Sequence, residues 1–189
     1  MAKYLVTGAA GFIGAKVCEL LLQDGDTVIG VDNLNDAYDV RLKYWRLNQL
    51  NDKPGFKLFQ QDIAHLEGLE EITTQAGRID GIINLAARAG VRASVENPWI
   101  FLETNTTGTL NLLEIARRFE IPKLVLASTS SIYGANAPLP TPESSESSYP
   151  LQPYAASKKA AEAMSYSYHF LHGVDVTVFR YFTDRKSTL

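Results

Sequence analysis

Tyr154 and Lys158 stand four residues apart near the start of a helical stretch, a spacing that sets a phenol and an ammonium on one helix face, a turn apart. A free phenol titrates near about 10, too high for a base at neutral pH, and a neighbouring cation lowers that value by favouring phenolate. A Tyr-x-x-x-Lys pair also occurs on solvated helix faces, so the pair alone does not define a site. Ser128-Thr129-Ser130-Ser131 follows an apolar run that reads as a strand, at the carboxyl edge where a hydroxyl can share an alcohol's proton with Tyr154. Phenol, ammonium and hydroxyl together suit proton transfer at a carbinol, the chemistry of alcohol–ketone interconversion.

Such chemistry needs a hydride carrier, and the first residues offer a place for one. Thr7-Gly8-Ala9-Ala10-Gly11-Phe12-Ile13-Gly14 follows one apolar run and opens an amphipathic helix. Gly8 permits a tight turn, Gly11 lets backbone approach a pyrophosphate, and Gly14 allows close helix–strand packing. The helix N-terminus adds unpaired N–H groups and a positive dipole end. The spacing is one residue longer between the first two glycines than the commonest fingerprint, and a purely structural turn is the bland alternative. Asp32 closes the second apolar run, 18 residues after Gly14. An acid there accepts from the ribose hydroxyls of NAD and repels the extra phosphate of NADP. It could equally be a turn residue, since Asp32-Asn33-Leu34-Asn35-Asp36 is rich in turn formers. With the glycines in place, NAD is the expected cofactor.

The elements that must position these groups alternate along the chain. Six strands are expected at Tyr4–Thr7, Thr27–Val31, Phe56–Phe59, Gly81–Leu85, Lys123–Ala127 and Asp175–Phe179. Helices are expected at about 12–24, 38–51, 64–76, 98–119 and 153–172. Several strands are apolar on both faces, as in a parallel sheet covered on each side, so the fold class is α/β, a Rossmann-like doubly wound parallel sheet with helices on both faces. Ala137 to Pro150 holds four of the eight prolines and four serines. Its place between a strand and a helix favours an active-site loop over a passive linker.

The 189 residues fit one domain. Hydrophobic residues at 46% and charged residues at 21% exclude intrinsic disorder. A net charge of −3 gives no general electrostatic reason to bind nucleic acid or an anionic membrane. No apolar run approaches the ~18 residues of a transmembrane helix. Cys18 stands alone and the three histidines show no metal-ligand spacing, so neither a disulfide nor a metal is expected. A reduced, cytoplasmic setting follows as the expectation.

Together these motifs resemble the extended short-chain dehydrogenase/reductase superfamily, and within it the nucleotide-sugar epimerases. The resemblance runs from Lys3 to about Thr183. It includes Asp62-Ile63, Asn84-Leu85-Ala86-Ala87, Asn105-Thr106-Thr107-Gly108-Thr109, Ser128 to Gly134, and Arg180-Tyr181-Phe182-Thr183. Asp32 to Lys43, Ala89-Gly90-Val91-Arg92 with Ser94, Glu96-Asn97-Pro98, and Thr183 bring it closest to UDP-glucuronate 4-epimerases.

The resemblance implies that Tyr154 takes the sugar O4 proton while C4 delivers hydride to tightly held NAD, and that the keto-sugar turns over and is reduced on its other face. Thr129 would bridge the sugar hydroxyl and Tyr154, and Lys158 would hold the nicotinamide ribose. Gly8, Gly11, Phe12, Ile13, Gly14, Asp32, Asn33, Asp62, Ile63, Leu85, Ala86, Ala87, Asn105 and Tyr181 match cofactor positions, together with Tyr154 and Lys158. Val91, Arg92, Ser130, Ser131 and Thr183 match positions that hold the UDP-sugar substrate. Related 4,6-dehydratases carry an Asp-Glu pair where Ser130 and Ser131 stand, which argues against dehydration.

Two departures qualify the match. Asn84 replaces the family's usual histidine, and after Thr183 the chain reads Asp184-Arg185-Lys186-Ser187-Thr188-Leu189 in place of the expected Val-Tyr-Gly-Pro-like segment. Residues 1–183 are therefore expected to form the NAD-binding domain and 184–189 a short divergent tail, with the C-terminal substrate domain absent. Exposed apolar sheet surface should follow, and a homodimer is expected through the helices near 98–119 and 153–172.

Overall fold

The computed structural model describes residues 1–182; Thr183 and the tail from Asp184 lie outside the described residues. Six parallel strands form one sheet in the order β3-β2-β1-β4-β5-β6. They are β1 (Lys3–Thr7), β2 (Thr27–Asp32), β3 (Phe56–Gln60), β4 (Gly81–Asn84), β5 (Lys123–Thr129) and β6 (Asp175–Tyr181). Between them run α1 (Phe12–Gln23), α2 (Val40–Asn48), α3 (Leu66–Ala76), α4 (Val91–Glu96), α5 (Pro98–Phe101), α6 (Gly108–Arg118) and α7 (Pro153–His172). This is the doubly wound Rossmann-like arrangement that the strand–helix alternation predicts.

Side chains alternate across the strands and feed two cores. Leu5, Ile29, Ile82, Leu124 and Leu126 join Leu69 of α3, Leu112 and Ile115 of α6, and Ala161 of α7. On the other face Val6 and Val28 pack with Ala15 and Cys18 of α1 and with Leu50. Burial raises the Cys18 thiol to about 12, which makes it a core filler and not a nucleophile.

Two features escape the periodicity. The short α4 lies inside a stretch read as loop. The expected single helix at 98–119 is divided by a π-helical segment, Leu102–Thr107, between α5 and α6. A wider turn of this kind often marks a functional position, and here it contains Asn105.

Candidate active site

The order in which strands are added reverses between β1 and β4, which are parallel neighbours in the sheet but lie far apart in sequence. Open α/β sheets bind ligands outside the carboxyl ends of their strands at such a switch point. The two loops that leave these strands meet there. Gly8 has φ +69°, and a Cβ on it would come within 2.8 Å of the Ala86 nitrogen. A Cβ on Gly14 would lie 2.0 Å from the Gly8 carbonyl oxygen, so α1 is packed as closely on its own loop as backbone allows. Gly8, Gly11, Leu85, Ala86 and Ala87 line one pocket with Asp32, Asn33, Asp62 and Ile63. Nine expected cofactor positions thus share one cleft.

Asp32 is buried, and its carboxylate is fixed from three directions. Oδ2 accepts from the Ala10 amide at 3.1 Å, and Oδ1 accepts from the Leu34 amide at 2.8 Å and from Lys43 Nζ at 3.1 Å. Lys43, itself buried, also donates to Asn35 Oδ1 at 3.3 Å and lines the pocket. Sequence reading missed Lys43. Its position four residues past the turn-rich Asn35–Asp39 stretch on a helix was the only available signal. Asn33 Nδ2 donates to Asp62 Oδ2 at 2.7 Å, which joins the ends of β2 and β3.

Not every expected cofactor residue faces this cleft. Phe12 and Ile13 point outward, Phe12 with the Arg46 guanidinium 5.9 Å from its ring. Tyr181 lies on β6, 43% exposed and stacked on Phe179. Asn105 is buried and its amide is fully engaged within the protein. Oδ1 accepts from the Arg88 amide at 2.9 Å, while Nδ2 donates to the Arg88 carbonyl at 3.0 Å and to Ser157 Oγ at 3.0 Å. It therefore ties the loop after β4 to α7. Asn84 links sheet to helix in the same way: its Oδ1 accepts from Thr7 Oγ1 at 2.8 Å and its Nδ2 donates to Thr109 Oγ1 at 3.1 Å.

The residues expected to transfer the proton sit on β5 and α7. Thr129 ends β5, and its Oγ1 accepts from the Ser131 amide and lies 3.2 Å from Ser131 Oγ, fixing the serine turn Ser130–Tyr133. Lys158 is buried on α7 and donates to the Ala127 carbonyl of β5 at 2.9 Å. Burial without a counter-charge lowers its ammonium to about 8. Tyr154, one turn earlier, is half-buried, with its ring edge-on to Phe101 at 6.2 Å. The Tyr154 hydroxyl has no hydrogen-bond partner among the described residues. Val91 and Arg92 open α4, which packs on α7, and both are exposed. Thr183, the remaining expected substrate contact, lies outside the described residues.

A parallel sheet with a glycine cradle at its switch point and a Thr–Tyr–Lys set on the adjoining strand and helix defines a dinucleotide-binding domain of the short-chain dehydrogenase/reductase type. The family described as GDP-mannose 4,6 dehydratase matches residues 5–188, and the chain belongs to that family. Among curated relatives, a UDP-glucuronate 4-epimerase of Thermodesulfobacterium geofontis is 57% identical over 97% of this chain and 56% of its own length. A probable UDP-glucuronate 4-epimerase of Rhizobium meliloti is 43% identical, with 96% and 53% covered. Of solved structures, UDP-glucuronic acid 4-epimerase from Bacillus cereus, in complex with UDP-glucuronic acid and NAD, aligns with a TM-score of 0.84 at 32% identity. UDP-glucose 4-epimerase of Thermotoga maritima, with UDP-glucose, aligns with a TM-score of 0.84 at 34% identity. These alignments cover 96% and 95% of this chain but 56% and 55% of the others. The chain spans about half the length of the relatives it matches.

Proposed function

We propose that this chain carries the NAD-binding and proton-transfer machinery of a UDP-sugar 4-epimerase, with UDP-glucuronate as substrate. The observation that carries the reading is Lys158, an ammonium buried against the Ala127 carbonyl two residues before Thr129 and one turn after Tyr154. The 57% identical relative, a UDP-glucuronate 4-epimerase, supports the choice of sugar.

The glycine cradle suits a pyrophosphate, because a Cβ at Gly8 or Gly14 would strike neighbouring backbone and force the loop and α1 apart. Backbone amides at the start of α1 would hold the phosphates, and Asp32, fixed by Lys43, would accept from the adenosine ribose hydroxyls. When bound, NAD supplies the acceptor and donor of hydride. Tyr154, as phenolate, takes the proton of the sugar 4-hydroxyl, and the Lys158 ammonium stabilises the charge on the phenol. Thr129 holds the same hydroxyl. The sugar, now a 4-ketone, turns within the site. Tyr154 returns the proton to O4 when C4 is reduced on its opposite face, so the cycle closes without net redox change. Val91, Arg92, Ser130, Ser131 and Thr183 are assigned to the sugar nucleotide.

The reading includes a cytoplasmic setting, supported by the lone buried Cys18; among the described residues no helix is long and apolar enough to cross a membrane. It also includes a homodimer through the helices around 98–119 and 153–172. A second reading, an NAD-binding chain without turnover of its own, is favoured by the exposure of Phe179 and Tyr181 on β6 and of Phe182 just after it, at 49%, 43% and 59%.

Incubating the chain with NAD and, separately, UDP-glucuronate, UDP-glucose and UDP-N-acetylglucosamine, then resolving the 4-epimers, decides between the two readings. Epimer formation that Tyr154→Phe abolishes while NAD binding persists is the expected result. NAD binding with no product from any sugar would leave the second reading.

A further inference from the structure

Glu162 is a buried carboxylate that the proton-transfer chemistry does not use. It lies on α7 four residues past Lys158 and eight past Tyr154, with a side chain only 8% exposed. Its Oε1 accepts from Ser128 Oγ at 2.6 Å and from Arg180 Nε at 3.0 Å, and its Oε2 accepts from Arg180 Nη2 at 2.9 Å. The guanidinium of Arg180 also donates through Nη1 to the Tyr133 hydroxyl at 3.0 Å and to the Glu143 carbonyl at 2.9 Å. Lys159 Nζ stands 3.7 Å from Glu162 Oε2 and donates to Ser147 Oγ at 2.7 Å. One bidentate pair therefore joins α7 and β6 to the end of β5, to the serine turn and to the proline-rich loop.

Around Tyr154 and Lys158, packing alone gives α7 little to hold its position. Its buried residues are Ala155, Ser157, Lys158, Ala161, Glu162 and Ser165. Four of these are small; Met164 and Tyr168 pack against the core in the second half of the helix, but the turns around Tyr154 and Lys158 offer only alanine and serine as knobs against the sheet. The two long side chains are Lys158, which reaches Ala127, and Glu162, which reaches Ser128. Both anchor to the two residues just before Thr129. A buried ion pair adds little net stability compared with apolar side chains of similar volume, but its fork geometry tolerates only a narrow range of positions.

We propose that Glu162 and Arg180 are a positioning pair that sets the register of α7 against β5 and so holds Tyr154 and Lys158 opposite Thr129. The kinetic consequence rests on the epimerase reading; the structural consequence does not.

The test is the double variant Glu162→Met/Arg180→Met, which removes both charges and leaves neither unpaired. Its melting temperature should stay close to the parent's. Competitive amine labelling with acetic anhydride, read peptide by peptide in a mass spectrometer, follows Lys158 directly. Its midpoint in the parent is expected at about 8. Loss of register brings the ammonium into water and should raise that midpoint by about one unit or more. In UDP-glucuronate epimerisation, kcat should fall about 100-fold with KM nearly unchanged. Glu162→Gln, which keeps one acceptor for Ser128 and Arg180 Nε but turns an amide NH2 towards Arg180 Nη2, should recover only part of the loss. An unmoved Lys158 midpoint together with a kcat within about threefold of the parent overturns the proposal. If the parent epimerises no UDP-sugar, the functional reading falls and the Lys158 midpoint alone decides the pair. If the double variant melts far below the parent, Glu162→Asp decides instead. It keeps the charge and shortens its reach by one methylene; an unmoved Lys158 midpoint there overturns the proposal too.

Discussion

Lys158 is the residue for which burial and function pull in opposite directions. An ammonium whose only partner among the described residues is a carbonyl destabilises the fold, and its lowering from 10.5 to about 8 reflects that penalty. The folded chain releases this proton at lower pH than the unfolded chain does. Between about 8 and 10.5 the unfolded state therefore binds more protons, and this group's contribution to stability rises with pH. Below about 8 the penalty is fully present. Lys158→Met should accordingly be more stable than the parent at pH 7, by about 2 kcal/mol, with the advantage shrinking towards zero as pH approaches 10.5. Urea denaturation of both proteins at each pH from 7 to 10 measures the difference, and a constant offset would refute this account. The same substitution should end epimerisation, since a thioether cannot stabilise a phenolate.

At the scale of elements, the junction between the loop after β4 and α7 depends on one amide. Asn105→Ala would leave the Arg88 N–H and C=O without their partner. A loss of about 1–2 kcal/mol is expected, since the Arg88 groups are only half-buried and water can replace part of what the amide supplied. Hydrogen exchange provides a local check: the Arg88 amide should lose its protection in the variant, and retained protection would mean that the clamp is not what holds the loop. Asn105 also illustrates what the sequence could and could not reveal. Runs such as Leu124-Val125-Leu126 announce buried strands, and Gly8–Gly14 or Tyr154–Lys158 are short patterns whose chemistry depends on local spacing. The partner of Asn105 on α7 is 52 residues away, and Glu162 meets Arg180 across 18. Such pairings arise only once the sheet has formed, and no local period encodes them. Lys43 was hidden for a related reason. On a helix that also carries Arg41 and Arg46 it reads as one more solvated cation until α2 is placed against the end of β2.

At the scale of the molecule, apolar surface remains uncovered on α7 and on β6, among other places. On α7, Tyr166 and Phe170 are 70% and 76% exposed, and Val95 and Trp99 of the adjoining α4 and α5 are similarly open. On β6, Phe179 and Tyr181 stack on each other on the side away from α7. The proposed homodimer uses the first of these surfaces. Sedimentation equilibrium should therefore give about twice the 20.9 kDa chain mass, and Phe170→Asp should return it to the monomer. A parent that sediments as a monomer would remove the dimer from the proposal.

The π-helical segment, Leu102–Thr107, has a consequence for inheritance. It holds one residue more than regular α-turns would need, so the helix before it and the helix after it differ in rotational phase by about 100°. The earlier part aims Phe101 at Tyr154, and the later part aims Leu112 and Ile115 into the core. Losing a single codon anywhere in this stretch would restore an even helix that can satisfy one end or the other, never both. Leu102, Glu103 and Thr107 are exposed and free to vary in kind, but the number of residues between Phe101 and Leu112 is fixed by the two faces it must serve.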